Sequence, residues 1–260
     1  FYLDMASAND LGNDVSGNNN DWTMNNMDTS GGANQTDDTP TKNFATLNPN
    51  TMANTSGTLT QGNLKYVASS NGDTNFGTII IPTSGKWYFE ATVNSQDTNL
   101  TSVGIKSVAS AATDTDDFSG VGGYGMMQAN NTGLNGHRFE NSTTTLPGGG
   151  ATQSVTWSTS DRVNIAYDAD NRKLYYGKNG TYYNFESGAT IAAADIADNT
   201  ATPQFGPIIN QEYLPAVSGN SGSGGAAYTF NFGGDGFTDT PPTDFVALNQ
   251  DNLEANTAGI

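Results

Sequence analysis

The pattern of apolar and polar positions divides the chain near residue 57. Through residues 1–56 Asn, Asp, Thr, Ser and Gly dominate, most densely in Asn18-Asn19-Asn20-Asp21 and Thr36-Asp37-Asp38-Thr39, and neither a two-residue nor a 3.6-residue period survives. Leu11, Val15, Trp22, Met24, Met27, Phe44 and Leu47 are too dispersed there to form a core, so the stretch is predicted to be an extended, irregular arm whose apolar residues dock singly on another surface. From Leu59 onward short apolar segments alternate with clusters of Gly, Asn, Asp and Pro. That spacing predicts an all-β fold over residues 57–250, an antiparallel two-sheet sandwich, with 251–260 as an exit tail.

The clearest strand is Lys86 to Val93, where Trp87, Phe89, Ala91 and Val93 alternate with Tyr88, Glu90 and Thr92, as a strand with one buried face requires. Further strands are predicted at Val155 to Trp157, Arg162 to Asp168, Lys173 to Tyr176, Phe205 to Ile209, Tyr213 to Val217 and Tyr228 to Phe232. Ala169-Asp170-Asn171-Arg172 and Lys178-Asn179-Gly180-Thr181 read as tight turns. Only Ala189 to Ala197 has a helical character.

Composition fits this reading, with 31 glycines and few helix-forming charged residues. Nine Lys and Arg against 26 Asp and Glu give a net charge of −17, which argues against nucleic acid or an anionic membrane as partner, because phosphate contacts need clustered cations. Without cysteine there is neither a disulfide nor a thiolate metal site, and no apolar run is long enough to span a bilayer as a helix. The chain opens on Phe1 rather than Met, which leads us to expect processing or a longer parent polypeptide.

Candidate chemistry is sparse. His137 is the single histidine, which removes multi-histidine metal sites and leaves a Ser-His-Asp relay without a distinguished serine. With Arg138 it reads either as a locally bonded loop pair or as part of a polar recognition loop. Glu90 has no acidic neighbour at strand spacing, so the carboxylate pair of a glycosidase is missing and no enzymatic activity is expected. No cofactor is expected apart from calcium, for which Asp114, Asp116 and Asp117 form the candidate cluster and Asp14 to Asp21 a second; the competing reading is solvated acidic loops. For a glycan, whose rings stack on tyrosines while amides bond the hydroxyls, the candidates are Tyr182, Tyr183 and Asn184, then Tyr124. Neighbours in a strand face opposite sides, so at least one of Tyr182 and Tyr183 is expected in the core.

The ordered set Gly85 to Glu90, Val103-Gly104-Ile105, Asp161 to Asp168, Lys173 to Gly180, Leu214 to Ser218, Asn231-Phe232-Gly233 and Pro241 to Phe245 resembles SPRY domains over about residues 60–250. The resemblance implies a concanavalin-like sandwich with partner contacts made by loops at one end, and no catalysis. One departure is Ser160, where the family usually has glycine before the acidic residue. The stretches Gly12 to Trp22, Asn43 to Pro49 and Phe245 to Asn249 resemble segments flanking SPRY domains in structural proteins of marine tailed bacteriophages, the first being similar to the end of a laminin-G-like segment. The resemblance implies a virion protein, a capsid decoration, fibre or appendage subunit. Its expected partners are other copies of itself in a homo-oligomer and neighbouring virion proteins. The alternative is an adhesin for host-surface glycans or proteins.

Overall fold

The computed structural model describes residues 1–4, 10–25, 42–51, 57–69, 73–96, 101–111, 122–128, 138–140, 143–145, 155–185, 187–219 and 225–257. Within them the strands are β1 (Thr58–Thr60), β2 (Lys65–Val67), β3 (Asp73–Phe76), β4 (Lys86–Ser95), β5 (Thr101–Ser107), β6 (Gly123–Gln128), β7 (Arg138–Glu140) and β8 (Thr143–Thr145). They continue with β9 (Arg162–Asp168), β10 (Lys173–Lys178), β11 (Thr181–Tyr183), β12 (Thr190–Ile191), β13 (Tyr213–Gly219), β14 (Ala227–Asn231) and β15 (Val246–Ala247). Short helices α1 (Val108–Ala111), α2 (Ala193–Ala197) and α3 (Gln250–Thr257) complete the set.

Two sheets form, as the sequence predicts. One has the order β1-β2-β14-β4-β9-β10-β11-β12, with β15 parallel to the first residues of β4; the other has the order β3-β13-β5-β6-β7-β8, and every pairing apart from β15 with β4 is antiparallel. Side-chain alternation makes the core between them. Trp87, Phe89, Ala91 and Val93 of β4, Val163, Ile165 and Tyr167 of β9, and Leu174 and Tyr176 of β10 pack with Val103 and Ile105 of β5, Tyr124 and Met126 of β6, and Tyr213 and Val217 of β13. Tyr176 crosses the gap to donate its hydroxyl to the Val103 carbonyl at 3.0 Å.

The other face of the larger sheet departs from expectation. A half-buried β4 would leave Tyr88 and Glu90 in solvent, yet both are buried. Tyr88, Ala166, Tyr175 and Tyr182 form a second apolar cluster, covered by Ile196 of α2, Ala201, Phe237 and Phe245. Central strands of this sheet are therefore buried on both sides, a state that an alternating pattern does not announce.

Smaller differences have local causes. Val155 to Trp157 is extended but unpaired as a strand; Trp157 is instead held by its indole N–H on the Gly177 carbonyl, 3.3 Å, and by the Phe185 ring at 4.8 Å. Phe205 to Ile209 is limited to a bridge between Phe205 and Leu174, since Pro207 has no N–H to continue a ladder. The predicted helix is shorter, because Thr190–Ile191 pairs with β11. Residues 250–257 of the exit tail are helical. Both predicted turns form: Asn179 and Gly180 have φ of 51° and 82°, the positive pair that a two-residue hairpin of matching twist needs.

Residues 42–51, placed by sequence in the arm, lie on the sandwich. The Ala45 N–H donates to the Leu248 carbonyl, Gln250 N–H to Asn43, Leu47 N–H to Asn63 and Thr78 N–H to Thr46, while Ala45 and Leu47 join the core.

Ser160 has φ of 76°, a left-handed conformation that costs a residue with a Cβ about 1–2 kcal/mol. Its N–H donates to the Val93 carbonyl at 2.7 Å, which holds it in place. Ser160→Gly relieves that strain but loosens the unfolded chain. We expect a net gain of about 0.5–1 kcal/mol, a rise of roughly 2 °C in Tm by calorimetry; a lower Tm would contradict the strain.

Candidate functional site

The residues singled out by sequence do not converge on one surface. Tyr124 belongs to the core, its ring edge-on to Phe205 and Tyr213. Tyr182 and Tyr183 face opposite sides as alternation requires: Tyr182 is buried in the outer cluster, and Tyr183, partly buried, packs on the core beside Phe185. The Asn184 side chain accepts the Ser187 N–H at 2.9 Å, closing a turn. Arg138 begins β7, opposite Met126 of β6 and Thr145 of β8. His137, Asp114, Asp116 and Asp117 lie outside the described residues. Among the described residues no group of three or more His, Cys, Asp or Glu side chains could hold a metal ion.

What the structure does bring together is a polar cluster on the outer face of the larger sheet. Glu90, on β4, accepts the Tyr88 hydroxyl at 2.9 Å, the Asp239 N–H at 2.8 Å, the Thr238 N–H at 3.2 Å and the Asn231 amide at 3.1 Å. Asp239 in turn receives two parallel bonds from the Arg162 guanidinium, at 2.8 and 2.7 Å, and one from the Asn164 amide at 2.9 Å. Asn164 also donates to the Tyr88 hydroxyl and accepts the Gly180 N–H, both at 2.8 Å. Strand spacing shows only that Glu90 lacks an acidic neighbour; apart from Tyr88, its partners at 231 and 238–239 are 141 to 149 positions away, where no local pattern points to them.

The chemistry of this cluster is that of a clamp. Its carboxyl oxygens are occupied by backbone and side-chain donors that fix residues 231–239 over the sheet, a division of labour that favours packing over proton transfer. Burial pushes the Tyr88 and Tyr182 hydroxyls far above the ordinary tyrosine range, and the neighbouring Glu90 adds to both shifts. The Tyr182 hydroxyl has no hydrogen-bond partner among the described residues.

Burial alone would raise the Asp239 carboxyl, but hydrogen bonds from Arg162 and Asn164 and the guanidinium charge outweigh it and hold the pKa below the ordinary value. Asp161 is lowered likewise, its burial offset by Lys178, Asn179 and the Ser158 N–H. A carboxyl whose folded pKa is depressed contributes stability above its unfolded pKa and loses it as pH falls through the folded one. Thermal melts are thus expected to hold steady above about pH 5 and to drop below about pH 4. Asp239→Asn should melt lower at pH 7 and show a shallower acid slope; an unchanged slope would remove Asp239 from the account.

A second surface is the N-terminal loop. Asp14 accepts the N–H groups of Tyr2, Ser16 and Asn20 at 2.8, 2.9 and 3.0 Å, while its own N–H donates to Asp21. A hydrogen bond from the Ser16 side chain, and after it these backbone bonds, hold its pKa well below the ordinary carboxylate range. The Trp22 N–H closes on the Gly12 carbonyl at 2.8 Å, with so little room that a Cβ on Gly12 would overlap the Trp22 carbonyl. So pinned, the loop turns Phe1, Tyr2 and Trp22 outward, 68%, 62% and 59% exposed, with the Phe1 and Trp22 rings 5.4 Å apart. Beside them is an apolar pocket of about 190 Å³ lined by Leu3, Leu11, Trp22 and Met24.

No protein-family model and no curated protein matches the chain. Among solved structures it is similar to the SPRY domain of human HERC1, at 15% identity and a TM-score of 0.46, over 71% of this chain and 96% of that one. The two-sheet sandwich described above is consistent with that likeness, which at this size carries no functional argument.

Proposed function

We propose that the chain is a non-catalytic interaction module of a bacteriophage virion, a structural subunit that docks on neighbouring virion proteins through its N-terminal loop. The observation that carries the docking is the outward set of Phe1, Tyr2, Val15 and Trp22, four of the seven large exposed hydrophobic residues among the described residues, gathered within 22 positions. Aromatic side chains in such a setting anchor interfaces. Residues 42–51 are engaged by the chain's own sandwich, so among the described residues the docking role falls to 1–25. The loop carboxylates Asp4, Asp10 and Asp21 and the net charge of −17 favour a partner surface with an apolar centre and a basic rim. The virion setting rests on the flanking segments that resemble those of phage structural proteins.

Mass spectrometry of gradient-purified phage particles from the source culture tests the setting: peptides of this chain should be present at structural copy number, and their absence overturns it. Cross-linking within those particles should join residues 1–25 to a neighbour, and Trp22→Ser should reduce incorporation without lowering Tm. Incorporation at wild-type level would remove the loop from the interface. A glycan array giving saturable binding would favour the adhesin reading instead.

A further inference from the structure

Met24 stands in the wall of the apolar pocket of the N-terminal loop, beside Leu3, Leu11 and Trp22, and is half-buried, so that it borders solvent. Its sulfur carries one of the bonds of the loop: Sδ accepts the Leu11 N–H at 3.1 Å. Leu11 is 4% exposed, so this N–H depends on the sulfur instead of water. Together with the Trp22 N–H on the Gly12 carbonyl, the contact ties residues 11–12 to 22–24 and shapes the pocket. Met126 of β6 differs, being 1% exposed within the core.

A thioether is a weak acceptor and an oxidisable one. A hydroperoxide supplies the oxygen: a sulfur lone pair attacks its terminal oxygen, and the S–O bond forms as the O–O bond breaks. The proton of that oxygen passes to the departing alkoxide or hydroxide, which leaves as alcohol or water, so sulfur loses two electrons and the peroxide gains them. The new oxygen has no place between Sδ and the Leu11 nitrogen, since a 3.1 Å contact holds the hydrogen and no further heavy atom. If the oxygen takes over the Leu11 N–H, the sulfur must retreat and Met24 leaves its place in the wall. If it turns away, the sulfur, now electron-poor, no longer accepts that N–H, and a polar group borders an apolar pocket. Either way the link that shapes the pocket is broken or displaced.

We propose that Met24 is a modification site, oxidised to the sulfoxide by hydroperoxides, and that the change dismantles the apolar pocket of the N-terminal loop. It rests on the docking role above for its consequence, which is redox control of that surface, while the switch itself is read within the loop. The test treats the full ¹⁵N-labelled chain with hydrogen peroxide, follows oxygen addition at each methionine by mass spectrometry of peptides, and records ¹H–¹⁵N spectra alongside.

Met24 should gain one oxygen roughly tenfold faster than Met126 or more, because access governs the reaction. The amides of Leu11, Gly12 and Trp22 should shift in step with that gain, and reductases for the two sulfoxide epimers should return the spectrum to its starting state. Met24→Leu keeps the wall apolar, and in that variant the three amides should not respond to peroxide. Equal rates at Met24 and Met126, complete oxidation of Met24 with the three amides unmoved, or an undiminished response in Met24→Leu would each overturn the proposal. Wild-type incorporation of Trp22→Ser into particles would remove the docking role and leave the switch standing, so the two fail separately.

Discussion

Gly104→Ala is expected to destabilise the protein by about 3 kcal/mol or more, lowering Tm by roughly 10 °C in a calorimetric scan. Gly104 lies in the middle of β5, paired with Gly125 on β6 and Ala216 on β13. A Cβ built there overlaps the Tyr124 carbonyl oxygen and comes within 2.5 Å of the Tyr176 hydroxyl and 2.7 Å of Gly125 Cα. Two of these three obstacles are backbone, held by ladders on both sides, so no rotamer change relieves them. The third is the hydroxyl that bonds Val103, and moving it breaks the link between sheets. A double variant with Tyr176→Phe should recover only part of the loss, because the backbone overlap persists. A melting temperature within 2 °C of wild type for Gly104→Ala would show that β5 and β6 are spaced more loosely than described.

Glu90→Ala is expected to cost about 3–5 kcal/mol, measured by chemical denaturation at pH 7. Removal of the carboxyl leaves the Tyr88 hydroxyl and the N–H groups of Thr238 and Asp239 without their acceptor, and the Asn231 amide with only the Gly236 carbonyl, in a place where Glu90 is 1% exposed. The damage should be local at first: hydrogen exchange at 232–242 should accelerate well before that of β9 and β10. Glu90→Gln retains one acceptor oxygen and turns an amide toward donors, so its loss should be smaller but measurable. If Glu90→Ala unfolds with wild-type midpoint and exchange, the clamp does not hold residues 231–239 in place.

These two positions also show what a linear sequence reveals. The inward face of β4 is legible because Trp87, Phe89, Ala91 and Val93 keep strict alternation, and the core follows from them. The outward face is not, because Tyr88 and Glu90 are covered by residues 232–245, a stretch with no period of its own whose docking depends on Asp239 finding Arg162. Asn179-Gly180 was readable as a turn since few residues accept its backbone, whereas Phe205 looked like a strand start and became a single bridge. For the site, alternation fixed that Tyr182 and Tyr183 face apart, but what covers each side is set by distant segments. Of the aromatic set at 1–25 the sequence reading singles out Trp22 alone, and the outward presentation of the set depends on Asp14 gathering three N–H groups.

The antiparallel contact between residues 43–45 and 248–250 puts the chain's way into the sandwich beside its way out. Tension that pulls those two segments apart acts along their hydrogen bonds, so the Gln250–Asn43 and Ala45–Leu248 links part in turn, as a zipper does, instead of resisting together in shear. Because Ala45 and Leu248 belong to the core and residues 246–247 pair with β4, the same pull that opens these links works directly on the edge of the sandwich.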